Sequence, residues 1–281
     1  MFKNDARAFS HVFLNQLANR ACEIQRHNES ARDIIFSKGD KGQDIVTESD
    51  LENEKMLRKM LVEEIPDIAF IYGEENGYEA VSDGDFGALI DPIDGTRAYA
   101  AGFFYSGISV AFVNPEGRTI AGFIVLINNQ SHKDYSVWTF DGNSAQKNGV
   151  LFNSLPDNKK IEESCISVTN VASFGEEDRA MASRIFKLIA DRARGPLSLC
   201  SGAAEGIAVI EGMFQGFINI SRQDYVSHPV AIEIAKCLGL YVRHVFNKDS
   251  EFAIEIDRRE KLIRARGDMT LVITLMSIKE D

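Results

Sequence analysis

Positive charge is in short supply in this chain. Its 31 Lys and Arg residues stand against 42 Asp and Glu, a formal net charge of −11, which excludes a protein that grips a nucleic acid polymer through a basic patch. Cysteine is sparse and scattered. Cys22, Cys165, Cys200 and Cys237 form no C-x-x-C spacing for zinc or redox chemistry and no dense framework of the secreted type, so a reducing cytoplasm is the expected setting. Apolar runs of membrane-spanning length are missing, as is the basic-then-apolar layout of a leader, so no membrane partner is expected. No repeat, low-complexity tract or long linker interrupts the 281 residues, and 44% hydrophobic with 26% charged content is near the globular average. One domain over 1–281 is expected, with halves of about 1–150 and 151–281.

Helical and strand periodicities fill that length. Phe9, Phe13, Leu17, Ala21 and Ile24 recur at helical spacing and predict an amphipathic helix over 4–27, with both phenylalanines packing. Ser49-Asp50-Leu51-Glu52 reads as a capping box opening a second helix, with Leu57, Met60, Leu61 and Ile65 on one face and Pro66 as its stop. Apolar runs at 68–72, 108–113, 120–127 and 135–140 predict an antiparallel sheet. The second half alternates. Helices are expected around Ile185, Leu188 and Ile189 (ended by Gly195-Pro196), over 207–210 and over 230–238, with strands at 217–220, 241–246, 252–256 and 271–275. Helices layered on two sheets, an α+β fold, follow.

The most informative stretch is Asp91-Pro92-Ile93-Asp94-Gly95-Thr96. The apolar run Gly87-Ala88-Leu89-Ile90 predicts a buried strand that delivers Asp91 at its end, and Pro92 and Gly95 force a turn. Two carboxylates, the Ile93 carbonyl and the Thr96 hydroxyl then crowd together, with Gly73-Glu74-Glu75 upstream and Asp224 far downstream. Such a cluster repels itself unless a cation sits in it, and all-oxygen donors select hard ions such as Mg²⁺. Gly95 lets its N–H approach a phosphate oxygen, and a helix from Thr96 adds its dipole. Each piece has a plainer alternative: an Asp-Gly-Thr turn that is only a turn, Asp50 serving a helix dipole, Asp224 as a helix N-cap, Glu75 and Lys38 as solvated surface groups.

Gly73-Glu74-Glu75 and 91–96 resemble the two signature motifs of the inositol monophosphatase family. Asp44-Ile45-Val46-Thr47 with Asp50 resembles its earlier acidic motif, and Ser201-Gly202-Ala203-Ala204 and Asp224 fall where its later motifs are expected. The resemblance spans roughly 30–240. It implies an α-β-α-β-α sandwich of the inositol monophosphatase and fructose-1,6-bisphosphatase type, with a metal site between the halves. It also implies about two or three Mg²⁺ per site, held by Glu74, Asp91, the Ile93 carbonyl, Asp94 and Asp224. Catalysis would fall to Glu74, Thr96 and Asp50, and substrate contacts to Asp94, Gly95, Thr96, Ser201, Gly202, Ala203 and Asn219. Lithium sensitivity, a homodimer and a small phosphorylated metabolite as substrate are carried over with it.

The chain departs from the family pattern around Asp224, where Gln223 stands in place of a tryptophan, and at Asn219, where a glutamate is expected. Arg97 resembles the motif of histidinol-phosphatase-like members. Inositol phosphate, histidinol phosphate, nucleotide bisphosphate and fructose bisphosphate therefore stay open as substrates. A non-catalytic, phospho-ligand-binding or regulatory protein is the reading from another class. A calcium-binding structural protein does not explain Thr96 and Gly95, and the acids lack EF-hand spacing. His228, before Pro229, is read as structural.

Overall fold

The structure, a computed structural model, describes residues 9–38, 44–128, 134–154, 159–169, 176–220, 226–244, 254–257, 262–265 and 270–274. Helix α1 (His11–His27) begins where the Ser10 hydroxyl caps the Phe13 N–H; residues 4–8 of the expected helix lie outside the described residues. A hairpin of β1 (Ile34–Lys38) and β2 (Asp44–Thr47) leads into α2 (Glu48–Glu64). The capping box sits earlier than the sequence suggests. Thr47 is the cap, and Asp50 Oδ2 accepts its N–H at 2.8 Å and its hydroxyl at 2.5 Å. Ser49 is not free to cap, because its hydroxyl donates to the carbonyls of Asn28 at 2.6 Å and Ala31 at 2.8 Å, which tie α2 to the end of α1.

Strands β3 (Ile68–Gly73), β4 (Gly77–Ala80), β5 (Phe86–Asp94), β6 (Gly107–Val113), β7 (Thr119–Ile127), β8 (Tyr135–Phe140), β9 (Ala145–Lys147) and β10 (Val150–Leu151) form one sheet in the order β10-β9-β8-β7-β6-β5-β3-β4. The sheet is not wholly antiparallel as expected, since β3 and β5 run parallel. The reason is topological. Strand β4 hairpins onto the outer flank of β3, so the chain re-enters on the inner flank in the direction of β3. The C-terminal ends of β3 and β5 are thereby side by side, and the short helix α3 (Thr96–Ala100) follows β5 at that end.

Both faces of this sheet are covered, which is why its strands read as unbroken apolar runs. Ala88 and Ile90 of β5, with Val110 and Phe112 of β6, pack against Leu14, Leu17, Leu57 and Leu61 of α1 and α2. Leu89, Ile124 and Trp138 pack on the other side against α5 (Gly202–Ile210) and α6 (Pro229–Cys237) through Ile207, Val230 and Ile234. Beyond these lies a five-stranded sheet of β12 (Gly195–Leu197), β11 (Cys165–Thr169), β13 (Gly216–Ile220), β17 (Thr270–Thr274) and β14 (Tyr241–His244), in that spatial order. Helix α4 (Glu176–Arg192) closes the stack with Ile189 on Ile166 and Val168. The layers are α-β-α-β-α. Helix α4 stops at Arg192, and Gly195-Pro196 enter an edge strand, where proline's missing N–H does no harm. The helix expected around Ile185, Leu188 and Ile189 is α4, with Leu188 50% exposed. A small hairpin of β15 (Ile254–Asp257) and β16 (Leu262–Ala265) stands apart from both sheets.

Candidate functional site

Strand β5 is apolar as far as Ile90 and then delivers Asp91, 2% exposed, at its carboxyl end. Its parallel partner ends at the same level: Gly73 pairs with Ile90, and the Glu74 N–H donates to the Ile90 carbonyl at 3.0 Å. The two acidic motifs, separated in sequence by the β4 hairpin, are joined at their backbones. After Asp91 the pairing with β6 slips, and the Asp91 Oδ1 accepts the Ile93 N–H at 3.1 Å to form the turn. The Ile93 side chain is buried against Tyr99 and Ile127, while its carbonyl accepts the Thr96 hydroxyl at 2.9 Å. Gly95 caps α3 at φ 86°, a left-handed conformation, and a Cβ there would fall 2.8 Å from the Ser201 Cβ. Only glycine serves both conditions.

Asp50, 1% exposed, faces this turn from α2 and accepts the Thr96 hydroxyl on Oδ1 at 3.1 Å. Burial pushes its carboxyl up to about 6; the Thr47 and Thr96 hydrogen bonds pull the other way, and the charge of Glu75 adds to the rise. Asp94 is held from the other half of the molecule. Its Oδ2 accepts the Ser201 hydroxyl at 2.5 Å and the Ala203 N–H at 2.7 Å, and its Oδ1 accepts the Gly202 N–H at 3.0 Å. A carboxylate against the first turn of α5 is where orphan N–H groups and the helix dipole favour it. Ser201, Gly202 and Ala203, three of the residues expected to touch substrate, thus meet Asp94 itself. Asn219, buried at the end of β13, lies 2.7 Å from His228 Nε2, and the His228 ring stacks on Phe217.

Asp224 lies outside the described residues. Among the described residues no three acidic, histidine or cysteine side chains stand close enough to hold a metal ion. Asp94 is engaged by α5, and the Glu74 side chain is exposed. The backbones of Glu74 and Ile90 are joined beside Asp91, and the donors expected there, the Glu74 and Asp91 carboxylates and the Ile93 carbonyl, are all oxygen and fit a hard divalent cation in kind.

Several residues of the site escaped the sequence reading. Glu54 and Asn53, one turn beyond Asp50, are fully buried, and Asn53 Nδ2 donates to the Pro92 carbonyl at 3.3 Å. Their signal was the apolar stripe Leu57, Met60 and Leu61, which continues backwards at helical spacing into polar residues. Glu205 on α5, fully buried, accepts the Ser167 hydroxyl at 2.5 Å and the Leu199 N–H at 2.6 Å. Burial pushes its carboxyl up to about 7, against those hydrogen bonds, with the Asp94 charge adding to the rise.

A layered α-β-α-β-α sandwich with an acidic turn between its halves defines a class, and the sequence places the chain within it. Residues 10–226 match the inositol monophosphatase family, and the chain belongs to that family. A fructose-1,6-bisphosphatase/inositol-1-monophosphatase of Aquifex aeolicus is 27% identical over 210 residues, covering 75% of this chain and 75% of that protein. The extragenic suppressor protein SuhB of Bartonella henselae superposes with a TM-score of 0.71 at 18% identity, over 94% of each chain. An IMPase/NADP phosphatase complexed with Mg²⁺ and phosphate superposes with a TM-score of 0.66 at 17% identity, over 93% of this chain and 91% of that one. At such identities the superpositions establish shared architecture. Family membership supports a phosphatase function. Among the described residues no helix is long and apolar enough to cross a membrane.

Proposed function

We propose that the chain is a Mg²⁺-dependent phosphatase that hydrolyses a phosphate monoester of a small polyol, sugar or amino alcohol. The observation that carries this reading is the parallel β3–β5 pair, which sets Glu74 beside Asp91 at the turn where Thr96 meets Asp50. Glu74, Asp91 and the Ile93 carbonyl would hold one cation, and Asp91, Asp94 and Asp224 a second. Held there, Mg²⁺ would supply charge neutralisation for the transferring phosphoryl group and a lowered pKa for the attacking water.

The protein's own part centres on Thr96. Its hydroxyl carries one hydrogen and has two acceptors in reach, Asp50 Oδ1 and the Ile93 carbonyl. With Asp50 ionised, the hydrogen goes to Asp50, and the Thr96 oxygen keeps its lone pairs for a water hydrogen. Thr96 then orients the water, Asp50 draws the proton, and Glu74 fixes the water from the other side. Gly95, without a side chain, leaves room for the phosphate. Ser201, Gly202 and Ala203, already on Asp94, and Asn219 behind them would border the substrate hydroxyls. A cytoplasmic homodimer is part of this reading, and Phe103, 60% exposed and stacked on Phe104, is an apolar surface that a second copy would cover.

Phosphate release from a generic aryl phosphate, with and without Mg²⁺, tests the reaction. A panel of inositol phosphates, histidinol phosphate, fructose 1,6-bisphosphate and adenosine 3′,5′-bisphosphate then ranks the pocket. The engagement of Asp94 by α5, and the fold shared with a protein named as an extragenic suppressor, favour one second reading: a non-catalytic phospho-ligand-binding or regulatory protein. Such a protein would release no phosphate under either condition.

A further inference from the structure

Glu54 lies on α2 one turn beyond Asp50, with no exposed surface. A carboxylate so placed is costly unless it is both paired and hydrogen-bonded. Its partners all belong to, or bracket, the turn that carries Glu74. Oε2 accepts the Glu75 N–H at 2.8 Å, and Oε1 accepts the Asn76 N–H at 3.1 Å and Arg58 Nε at 2.9 Å. Arg58 in turn donates to the Gly77 carbonyl at 2.6 Å, just past the turn, and to Glu79 at 2.9 Å. The ion pair thus takes the N–H groups of the turn with its negative end and a carbonyl beyond it with its positive end.

Gly73 shows how tightly the turn is seated. A Cβ at that position would fall 2.1 Å from Glu54 Oε1, so the end of β3 closes directly onto the carboxylate. The opposite side of the same turn is tied to β5 through the Glu74 N–H and the Ile90 carbonyl. Glu74 is therefore held between Glu54 on one side and the strand that carries Asp91 on the other. Buried ion pairs stabilise a fold poorly compared with apolar residues of the same volume. A pair spent on one turn beside the acidic site is better explained by position than by stability.

We propose that Glu54 and Arg58 are positioning residues that set the spacing of the Glu74 and Asp91 carboxylates, and with it the affinity of the site for Mg²⁺, without touching cation or substrate. The proposal rests on the phosphatase reading above. Asp50 on the preceding turn holds Thr96, and Asn53 beside Glu54 holds the Pro92 carbonyl. One face of α2 then holds three separate arms of the site.

The test compares wild type, Glu54→Gln and Arg58→Lys by calorimetric titration with MgCl₂ alone. The Mg²⁺ midpoint and ester KM of aryl phosphate hydrolysis, and thermal unfolding without Mg²⁺, are measured alongside. Groups that support metal ligands typically shift metal affinity by about 10–100-fold when altered. Glu54→Gln is expected to weaken Mg²⁺ binding within that range and to move the activity midpoint equally, with KM at saturating Mg²⁺ within about twofold of wild type. Arg58→Lys, which keeps the charge but loses the fork, is expected to shift binding about threefold or more, and it decides the matter if Glu54→Gln does not fold. Wild-type Mg²⁺ affinity in both variants overturns the proposal, as does a loss of turnover with Mg²⁺ binding unchanged. A wild-type protein that neither binds Mg²⁺ nor releases phosphate overturns the phosphatase reading, and the positioning role with it.

Discussion

The two halves of the molecule handle buried acids in opposite ways. In the N-terminal half Glu54 has a cation beside it, Arg58, and two backbone N–H groups of a single turn. In the C-terminal half Glu205 has the Ser167 and Thr169 hydroxyls and one N–H, among the described residues no cation, and a carboxyl pushed up to about 7 by burial. The first arrangement fixes its neighbours through charge-assisted hydrogen bonds. The second is soft, its charge depending on conditions. Asp94 is the join, a residue of the first half held by three donors of the second. The contrast suggests a division of labour in which the rigid half sets the reacting geometry and the softer half meets the varied part of the substrate.

The hardest blow to this division would fall on the join. Asp94→Asn is expected to lower kcat by about a thousandfold through loss of cation binding. It should also lower the unfolding midpoint without Mg²⁺, because an amide N–H would then oppose the Gly202 or Ala203 N–H. Steady-state kinetics and thermal unfolding check both, and near-normal turnover would break the picture. Next comes Thr96→Ala, with kcat down about a hundredfold and KM little changed, the range for a lost proton-positioning group; Thr96→Ser should restore most of it.

A pH profile sharpens the contrast further. Below about 6 Asp50 takes up its proton, and kcat/KM is expected to fall about tenfold per pH unit. Asp50→Asn should lower activity and remove that limb, whereas a flat wild-type profile from pH 5 to 7 would remove Asp50 from the reaction. The smallest effect belongs to Glu205. Its folded-state affinity for a proton exceeds that of the unfolded chain, so its contribution to stability is complete below about 4.5 and is lost as pH rises through about 7. In Mg²⁺-free protein the Glu205→Gln variant should therefore lose a decline in unfolding midpoint of about 2–4 °C between pH 5 and 8.

Much of this was legible before any coordinates. The apolar run before Asp91, the turn residues Pro92 and Gly95, and most helices and strands follow from local pattern, because side-chain period and turn chemistry act over a few residues. The layered α+β sandwich implied by the family resemblance is the architecture observed. The capping box was misplaced by two residues because Ser49 spends its hydroxyl on the end of α1, a contact across 21 residues of chain. Glu54 lies on the backward extension of the Leu57, Met60 and Leu61 stripe, which marks a buried face but not what the carboxylate meets there, and Glu205 is unmarked because charged residues on a helix are ordinarily solvated.

By itself the sequence determined the helices and the longer apolar strands, the acidic motifs and the family to which their order points, but not the short strands such as β1, β4, β9 and β12. The tertiary structure decided that β3 and β5 run parallel, that Asp94 belongs to α5 as much as to its own strand, and that Glu54 sits under the turn of Glu74. Strand direction and long-range hydrogen bonding depend on which surfaces the whole chain can bury at once, and no window of neighbouring residues contains that information.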